Sequence, residues 1–357
     1  MSSEVLDAGL RRIREHVIRH SLPRAIVTFH GGEPLLVGAD RLDHMAERVH
    51  KCLDDVTEVH LGLQTNGTLF DRRFLQVAIR HEISVGLSLD GPPHHHDKFR
   101  IDHQGRGTSL AIQKALELLR DSPQVFGGLL CVISLDIEPQ ELCDYLCALG
   151  AKSVDLLLPH ATHDHLPPGV HSSREVIMYG NWMVLFLERW YKSRVEYPDL
   201  RFYSSIIRLL LGGKSLVESV GPEIITLVVI ESNGEIEAVD SLKNCYEGAA
   251  STGLNVFDNS FDDVLSTEPF VSRQLAELAL CDICRSCPFV RVCGGGYQPH
   301  RYSIANGFLN PSVYCESLQL LISRVASLIR EDLALVELSV PTLVNSLADA
   351  NFTFKTV

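Results

Sequence analysis

No stretch of this 357-residue sequence is apolar for long enough to cross a bilayer; runs such as "IITLVVI" at 224–230 fall far short of the roughly 18 residues a spanning helix needs. The first residues, "MSSEVLDAGLRRIREHVIRH", spread charge through a helical apolar spacing and lack the basic tip, apolar stretch and cleavage site of a signal peptide. A cytoplasmic location without a membrane partner is therefore expected. Positive charge is also scarce: 32 Lys and Arg stand against 45 Asp and Glu, a formal net charge of -13, and no basic stripe is present. Phosphate binding is driven by clustered Lys and Arg, so no nucleic-acid partner is expected. Finally, no cysteine precedes Cys52. What is present is a hydrophobic fraction of 45%, enough for a substantial core in one large domain plus a smaller one.

From residue 24 to about 160, extended runs alternate with helical patterns. "RAIVTFH", "VHLGLQT", "SVGLSLD", "VFGGLLCVI" and "SVDLLLP" read as strands, and residues 40–53, 71–80, 108–120 and 138–148 as helices. Repeated βα units form a parallel sheet with helical crossovers, and such folds work at the carboxyl ends of their strands. The first three strands end in "GGEP", "TNG" and "SLDG". One such turn is unremarkable, because Gly and Asn serve ordinary turns. Three consecutive ones imply a shared ligand pocket.

Past residue 160 the character changes. "HATHDHLPPGVHSS" reads as a loop, and "REVIMYGNWMVLFLERWYKSRVEY" as a long helix whose aromatic face packs into a core. His94, His95, His96, His160, His163 and His165 read as solvated loop histidines, with metal ligation as the alternative, since no i, i+4 pairing fixes them. "IITLVVIES" and "EIEAVDSL" flank Asn233-Gly234, a strong hairpin signal, and residues 313–330 form an amphipathic helix.

Of ten cysteines, Cys52, Cys131, Cys143, Cys147 and Cys245 lie scattered in apolar or mixed surroundings and read as small buried hydrophobes. The other five crowd into "CDICRSCPFVRVC" and "VYC": Cys281, Cys284, Cys287, Cys293 and Cys315. In a cytosolic protein this density points to a metal rather than to disulfides. Four thiolates suit either zinc or an iron-sulfur cluster, and spacing alone leaves both open.

"GGEP", "TNG" and "SLDG" in this order, with CxxCxxxxxC and a distant cysteine, resemble radical S-adenosylmethionine (SAM) enzymes carrying a SPASM extension. "FHGGEPLL", "LLPHAT", "VDSLK" and "CGGGYQPHRY...GFLNPSVYC" are closest to FxsB-type maturases of that family, and the resemblance covers almost the whole chain. It implies an α/β fold: a partial (β/α)6 TIM-like barrel over residues 1–200, a small C-terminal SPASM cluster domain over 201–335, and a tail over 336–357. It also implies that Gly31, Gly32, Glu33 and Pro34 receive the methionyl ammonium of SAM, where charge-assisted bonds are strong and glycine permits close approach. Asn66, Ser88 and Asp90 fall where the family contacts the ribose and methionine portion, and Arg100 where it meets the methionyl carboxylate. "LLLPH" at 156–160 falls at the strand end that in the resembling family borders the adenine and substrate.

For the cysteines, the resemblance turns the choice toward one auxiliary [4Fe-4S] cluster on Cys284, Cys287, Cys293 and Cys315, with Cys281 a possible ligand and Pro288 and Phe289 as shielding. The family pattern continues CxxxC after the third cysteine, and that position here is Tyr297. A second auxiliary cluster is accordingly not expected. The largest departure is the CxxxCxxC loop that follows the family's first barrel strand and holds the SAM-cleaving [4Fe-4S] cluster. Residues 1–20 read as the helix after that loop, with Ser2 or Ser3 as its cap, so the barrel is expected to lack its first strand and the motif with it. Truncation at an internal methionine is the preferred explanation over a natural pseudoenzyme, because degeneration erodes single ligands before it removes a whole βα unit.

The implied function is modification of a ribosomally made precursor peptide by a SAM-derived radical, with a flavodoxin or ferredoxin as reductant if active. As written, the chain is expected not to perform the radical step. Asp240 is a candidate proton acceptor by its place in "AVDSLK", against a purely structural aspartate. The alternatives are a non-catalytic peptide-binding scaffold with one structural metal cluster, and a zinc-bearing α/β sugar or nucleotide enzyme.

Overall fold

A computed structural model of the protein describes residues 1–193, 198–224, 227–336 and 339–349. Helix α1 (Ser3–His20) begins at Ser2, whose hydroxyl accepts from the Val5 amide. There follow β1 (Arg24–Phe29), α2 (Ala39–Leu53), β2 (Glu58–Thr65), α3 (Arg72–Arg80), β3 (Ser84–Ser88), α4 (Pro93–Phe99), α5 (Ser109–Arg120), β4 (Phe126–Val132), α6 (Pro139–Ala148), β5 (Ser153–Leu157) and α7 (Ile177–Lys192). A sixth strand, β6 (Asp199–Leu200), precedes α8 (Arg201–Leu210). The six strands form one parallel sheet in chain order, with β1 and β6 at its edges.

The five strands and four crossover helices read from the sequence are all present. β6 is an addition to that reading, because two residues carry no periodicity. The expected helix over 174–197 spans 177–192 among the described residues, residues 194–197 lying outside them. Tyr179, Trp182, Phe186 and Trp190 are buried, as a core-packing aromatic face requires.

Burial follows the patterning. α2 lays Leu42, Ala46, Val49 and Leu53 against the sheet, one face of a 3.6-residue period. Each large apolar side chain so buried contributes roughly 1.5–3 kcal/mol. The parallel register matches Phe29 with Leu63, Thr65 with Leu87 and Ser88 with Leu130. The carboxyl ends of β1 to β4 are thereby aligned along one edge.

The second half holds a three-stranded antiparallel sheet, β7 (Val229–Ile230), β8 (Glu235–Glu237) and β9 (Ser251–Asn255). The expected hairpin is there, shorter than its apolar runs; residues 225 and 226 lie outside the described residues. Short helices α9 (Phe261–Val264), α10 (Glu268–Gln274), α11 (Asp282–Arg285) and α12 (Val290–Cys293) lead to α13 (Cys315–Leu335) and α14 (Thr342–Ala348). Of the expected tail, residues 337, 338 and 350–357 lie outside the described residues.

α13 docks on α7. Leu318, Leu321, Ile322, Val325 and Ile329 join the main core, and the Ser317 hydroxyl donates to the Val176 carbonyl at 2.7 Å. An aspartate at Val325 would bury an unpaired charge and break this packing. A second core gathers Val5 and Ala8 of α1 with Ile236, Ala238, Phe261, Val264 and Phe270. No helix of the described residues is long and apolar enough to cross a membrane.

Candidate functional site

The turn after β1 is organised by Glu33. Its carboxylate caps the 3-10 turn Pro34–Val37, accepting from the Leu35 amide at 3.0 Å, and reaches β2 to accept from the Thr65 hydroxyl at 2.6 Å and the Asn66 amide at 2.9 Å. Pro34 opens that 3-10 turn. Gly31 has φ +65°, and a Cβ built on Gly31 or Gly32 would meet no atom within 4 Å. Their backbone therefore faces open space at the end of β1.

The same lacing continues across the sheet. Gln64 of β2 donates to the Ser88 hydroxyl of β3 at 3.0 Å. Asp90 accepts from the Val132 amide at the end of β4 at 2.9 Å and from Arg100 Nε at 2.5 Å. The Asn66 carboxamide oxygen accepts from the Thr68 amide at 2.9 Å and from its hydroxyl at 2.7 Å. Glu33, Asn66, Ser88, Asp90 and Arg100 are thus brought to one edge, where several of them hold one another.

His95 and His96 depart from the solvated-loop expectation, whereas His160, His163 and His165 lie exposed outside helices and strands, as that reading has it. Pro93 starts α4 at its first turn, a position suited to proline, and the helix carries His95 and His96 inward, leaving only His94 exposed. His96 Nδ1 accepts from the Asp90 amide at 3.2 Å, and Nε2 lies 3.1 Å from the Thr108 hydroxyl. Burial lowers the pKa of both His95 and His96. A neutral His96 locked under Asp90 is a core histidine, not a solvated one. His163 is tied down as well, its Nε2 2.8 Å from the Pro311 carbonyl.

The C-terminal module is anchored on the end of β5. Tyr314 donates its hydroxyl to the Pro159 carbonyl at 2.9 Å, and His160 stacks on Tyr297 with ring centroids 6.5 Å apart. Tyr297 in turn hydrogen-bonds Ser241, next to Asp240. Asp240 itself lies 3.5 Å from Lys243 Nζ, which also meets Glu231 at 2.8 Å and Glu237 at 2.6 Å. Its surroundings are an ion-pair network.

The five clustered cysteines are all free thiols. Cys281 and Cys284 flank the start of α11, Cys293 ends α12 and Cys315 opens α13. Gln319 Nε2 lies 3.4 Å from Cys315 Sγ and 3.9 Å from Cys287 Sγ. Gly294, at φ +62°, makes the turn possible: a Cβ there would overlap the Gly221 carbonyl. Burial and neighbouring sulfurs push up the thiols of Cys284, Cys293 and Cys315, Cys315 to about 11 and Cys293 to about 12. Phe289 is buried beside them, whereas Pro288 is exposed.

Next to the thiols, the turn Gln298–Arg301 holds polar atoms that nothing in the protein satisfies: Gln298 Oε1, His300 Nε2, and Nε and Nη1 of Arg301. Arg301 is only 7% exposed; burial lowers its pKa, and Cys284, Cys293 and Cys281 are the neighbours that would oppose this as thiolates. His300, wedged against Tyr314 and Tyr297, is pushed down to about 3 by burial. Sequence reasoning quoted "QPHR" only within the family wording and gave these residues no role, since their burial is not visible locally. Buried unpaired groups of this kind call for a ligand.

No family model matches the chain. It is 23% identical over 323 residues to a cysteine-type anaerobic sulfatase-maturating enzyme of Clostridium perfringens, covering 89% of this chain and 84% of the relative. It is 21% identical over 325 residues to a serine-type enzyme of Bacteroides thetaiotaomicron, covering 85% and 75%. Among solved structures, native anSMEcpe with bound AdoMet superposes with a TM-score of 0.79 at 22% identity, over 98% of this chain and 90% of the other. The chain shares that fold. Streptococcus suis SuiB superposes more loosely, with a TM-score of 0.56 at 13% identity, over 87% and 70%. The relatives of this chain thus include anaerobic sulfatase-maturating enzymes, and anSMEcpe has also been solved with a bound Cp18Cys peptide.

Proposed function

We propose that the chain is a radical SAM/SPASM-type maturase of a ribosomally made peptide, dividing at about residue 200 into a sheet layer that binds SAM and an extension that holds one auxiliary [4Fe-4S] cluster. The observation that carries the reading is Arg301, a buried cation with unpaired nitrogens facing free thiols. A cluster on thiolates is anionic and supplies the missing countercharge. Cys284, Cys287, Cys293 and Cys315 are its ligands, with Cys281 adjacent.

Bound SAM supplies, on one-electron reduction, the radical that takes hydrogen from a substrate. The chain's own residues position it. The exposed backbone of Gly31 and Gly32 accepts the ammonium, because the Glu33 carboxylate is already engaged with three donors. Asn66 and Ser88 remain half-buried at the edge to meet the ribose, and Arg100, held by Asp90, offers its remaining guanidinium donors to the carboxylate. Asp240 is a proton acceptor only if substrate displaces Lys243. The sequence contains no CxxxCxxC, so the radical step requires thiolates that this chain does not present in that pattern.

A specific observation favours the second reading, a non-catalytic peptide-binding scaffold: the strand-end groups satisfy one another without SAM. Anaerobic reconstitution with iron and sulfide, followed by metal analysis and a SAM-cleavage assay, tests both. About four iron and four labile sulfides per chain are expected. Zinc without sulfide would overturn the cluster, and failure to bind SAM would leave the scaffold.

A further inference from the structure

A different cluster of donors lies where α1 meets α9. His16 and His20 stand one helical turn apart on α1, with ring centroids 4.5 Å apart. Asp262 reaches them from the far side of the chain: its Oδ1 is 3.1 Å from His16 Nδ1 and 2.8 Å from His20 Nε2. The three donor atoms all lie within 4.8 Å of one another. We propose that His16, His20 and Asp262 form a divalent-cation site of the zinc class, with water as the fourth ligand, that staples α1 to the segment carrying α9.

The chemistry of the donors supports this. Two imidazoles at i, i+4 on one helix face plus a carboxylate are a recurrent three-ligand zinc set, leaving one open position. The outer contacts are in place: Arg19 Nη1 lies 3.0 Å from the other oxygen of Asp262, and the edge of the Phe261 ring fixes His16 at 5.9 Å. The side chains of His16 and Asp262 are 28% and 24% exposed, sunk enough to be ordered and open enough for an ion to enter. The other acidic group, Glu231, Glu237 and Asp240, is already filled by the Lys243 ammonium and is no such site. The staple would reinforce the second core, which joins Val5 and Ala8 of α1 to Phe261 and Val264.

The proposal does not depend on iron or SAM. The full chain, its cysteine cluster loaded, is titrated with Zn2+ by calorimetry and examined by zinc X-ray absorption. The expected result is one equivalent bound by nitrogen and oxygen at about 2.0–2.1 Å, with no sulfur near 2.3 Å. His16→Ala, His20→Ala and Asp262→Asn should each weaken binding at least about tenfold and abolish the zinc-induced rise in melting temperature. His20 is 42% exposed, so its variant should melt unchanged without zinc. Sulfur in the first shell, no binding by the unsubstituted chain, or an affinity unchanged by the three substitutions would overturn the site.

Discussion

The two ends of the molecule that gather polar groups are in opposite states. Along the sheet edge, Glu33, Gln64, Ser88, Asp90 and Arg100 bond across successive strand junctions and leave little unmet. In the turn beside the cysteines, four polar atoms are buried with no partner. The first region is pre-organised without a ligand. The second is balanced only when one arrives, because an unpaired buried charge costs far more than a paired one.

The sharpest way to break this contrast is Arg301→Met. In the metal-free protein it should raise stability by about 1–3 kcal/mol, and in the iron-loaded protein lower it by about 3 kcal/mol, since one partner of a buried charge pair is then missing. Anaerobic urea denaturation of both forms reads the sign. The same sign in both would show that Arg301 does not answer to the cluster.

A smaller effect is expected at Glu33. Glu33→Gln turns an amide donor toward groups that are themselves donors and should destabilise the ligand-free protein by about 1–3 kcal/mol. An unchanged denaturation midpoint, with only SAM binding lost, would mean the carboxylate serves the ligand alone.

The smallest lies at Asp155 on β5, a buried carboxylate outside the lacing whose nearest cation, Arg201, is 3.4 Å away. Burial pushes its pKa up to about 6. The folded state therefore keeps the proton up to about pH 6, whereas the unfolded chain releases it near 4, and stability falls as pH rises across that interval. Asp155→Asn should remove this dependence and stabilise the protein at pH 7 by about 1 kcal/mol, with little gain at pH 4.

Sequence periodicity located the strands β1 to β5 and the crossover helices between them, because α2, α3, α5 and α6 each carry an apolar face bounded by clear stops. It failed where information is not local. His95 and His96 follow two prolines that resemble a loop but begin a helix. The partners of Glu33 and Asp90 lie about 30 to 40 residues away on other strands. His16 and His20 do show the i, i+4 spacing, yet Asp262 is 242 residues from His20 and only the fold makes the set. The burial of Arg301 likewise depends on the "CGGG" turn closing around it.

The position of Cys315 at the first turn of α13 has a consequence for biogenesis. Four of the sulfurs lie within the short stretch from Cys281 to Cys293, but the fifth comes into place only when the last long helix seats on α7. Gathering the thiols is therefore a late event during synthesis, and a nascent chain ending before α13 carries an incomplete set. Pulsed thiol labelling during refolding should find Cys315 protected no earlier than α13 docking. Cofactor insertion would then act as a checkpoint that reports a finished chain.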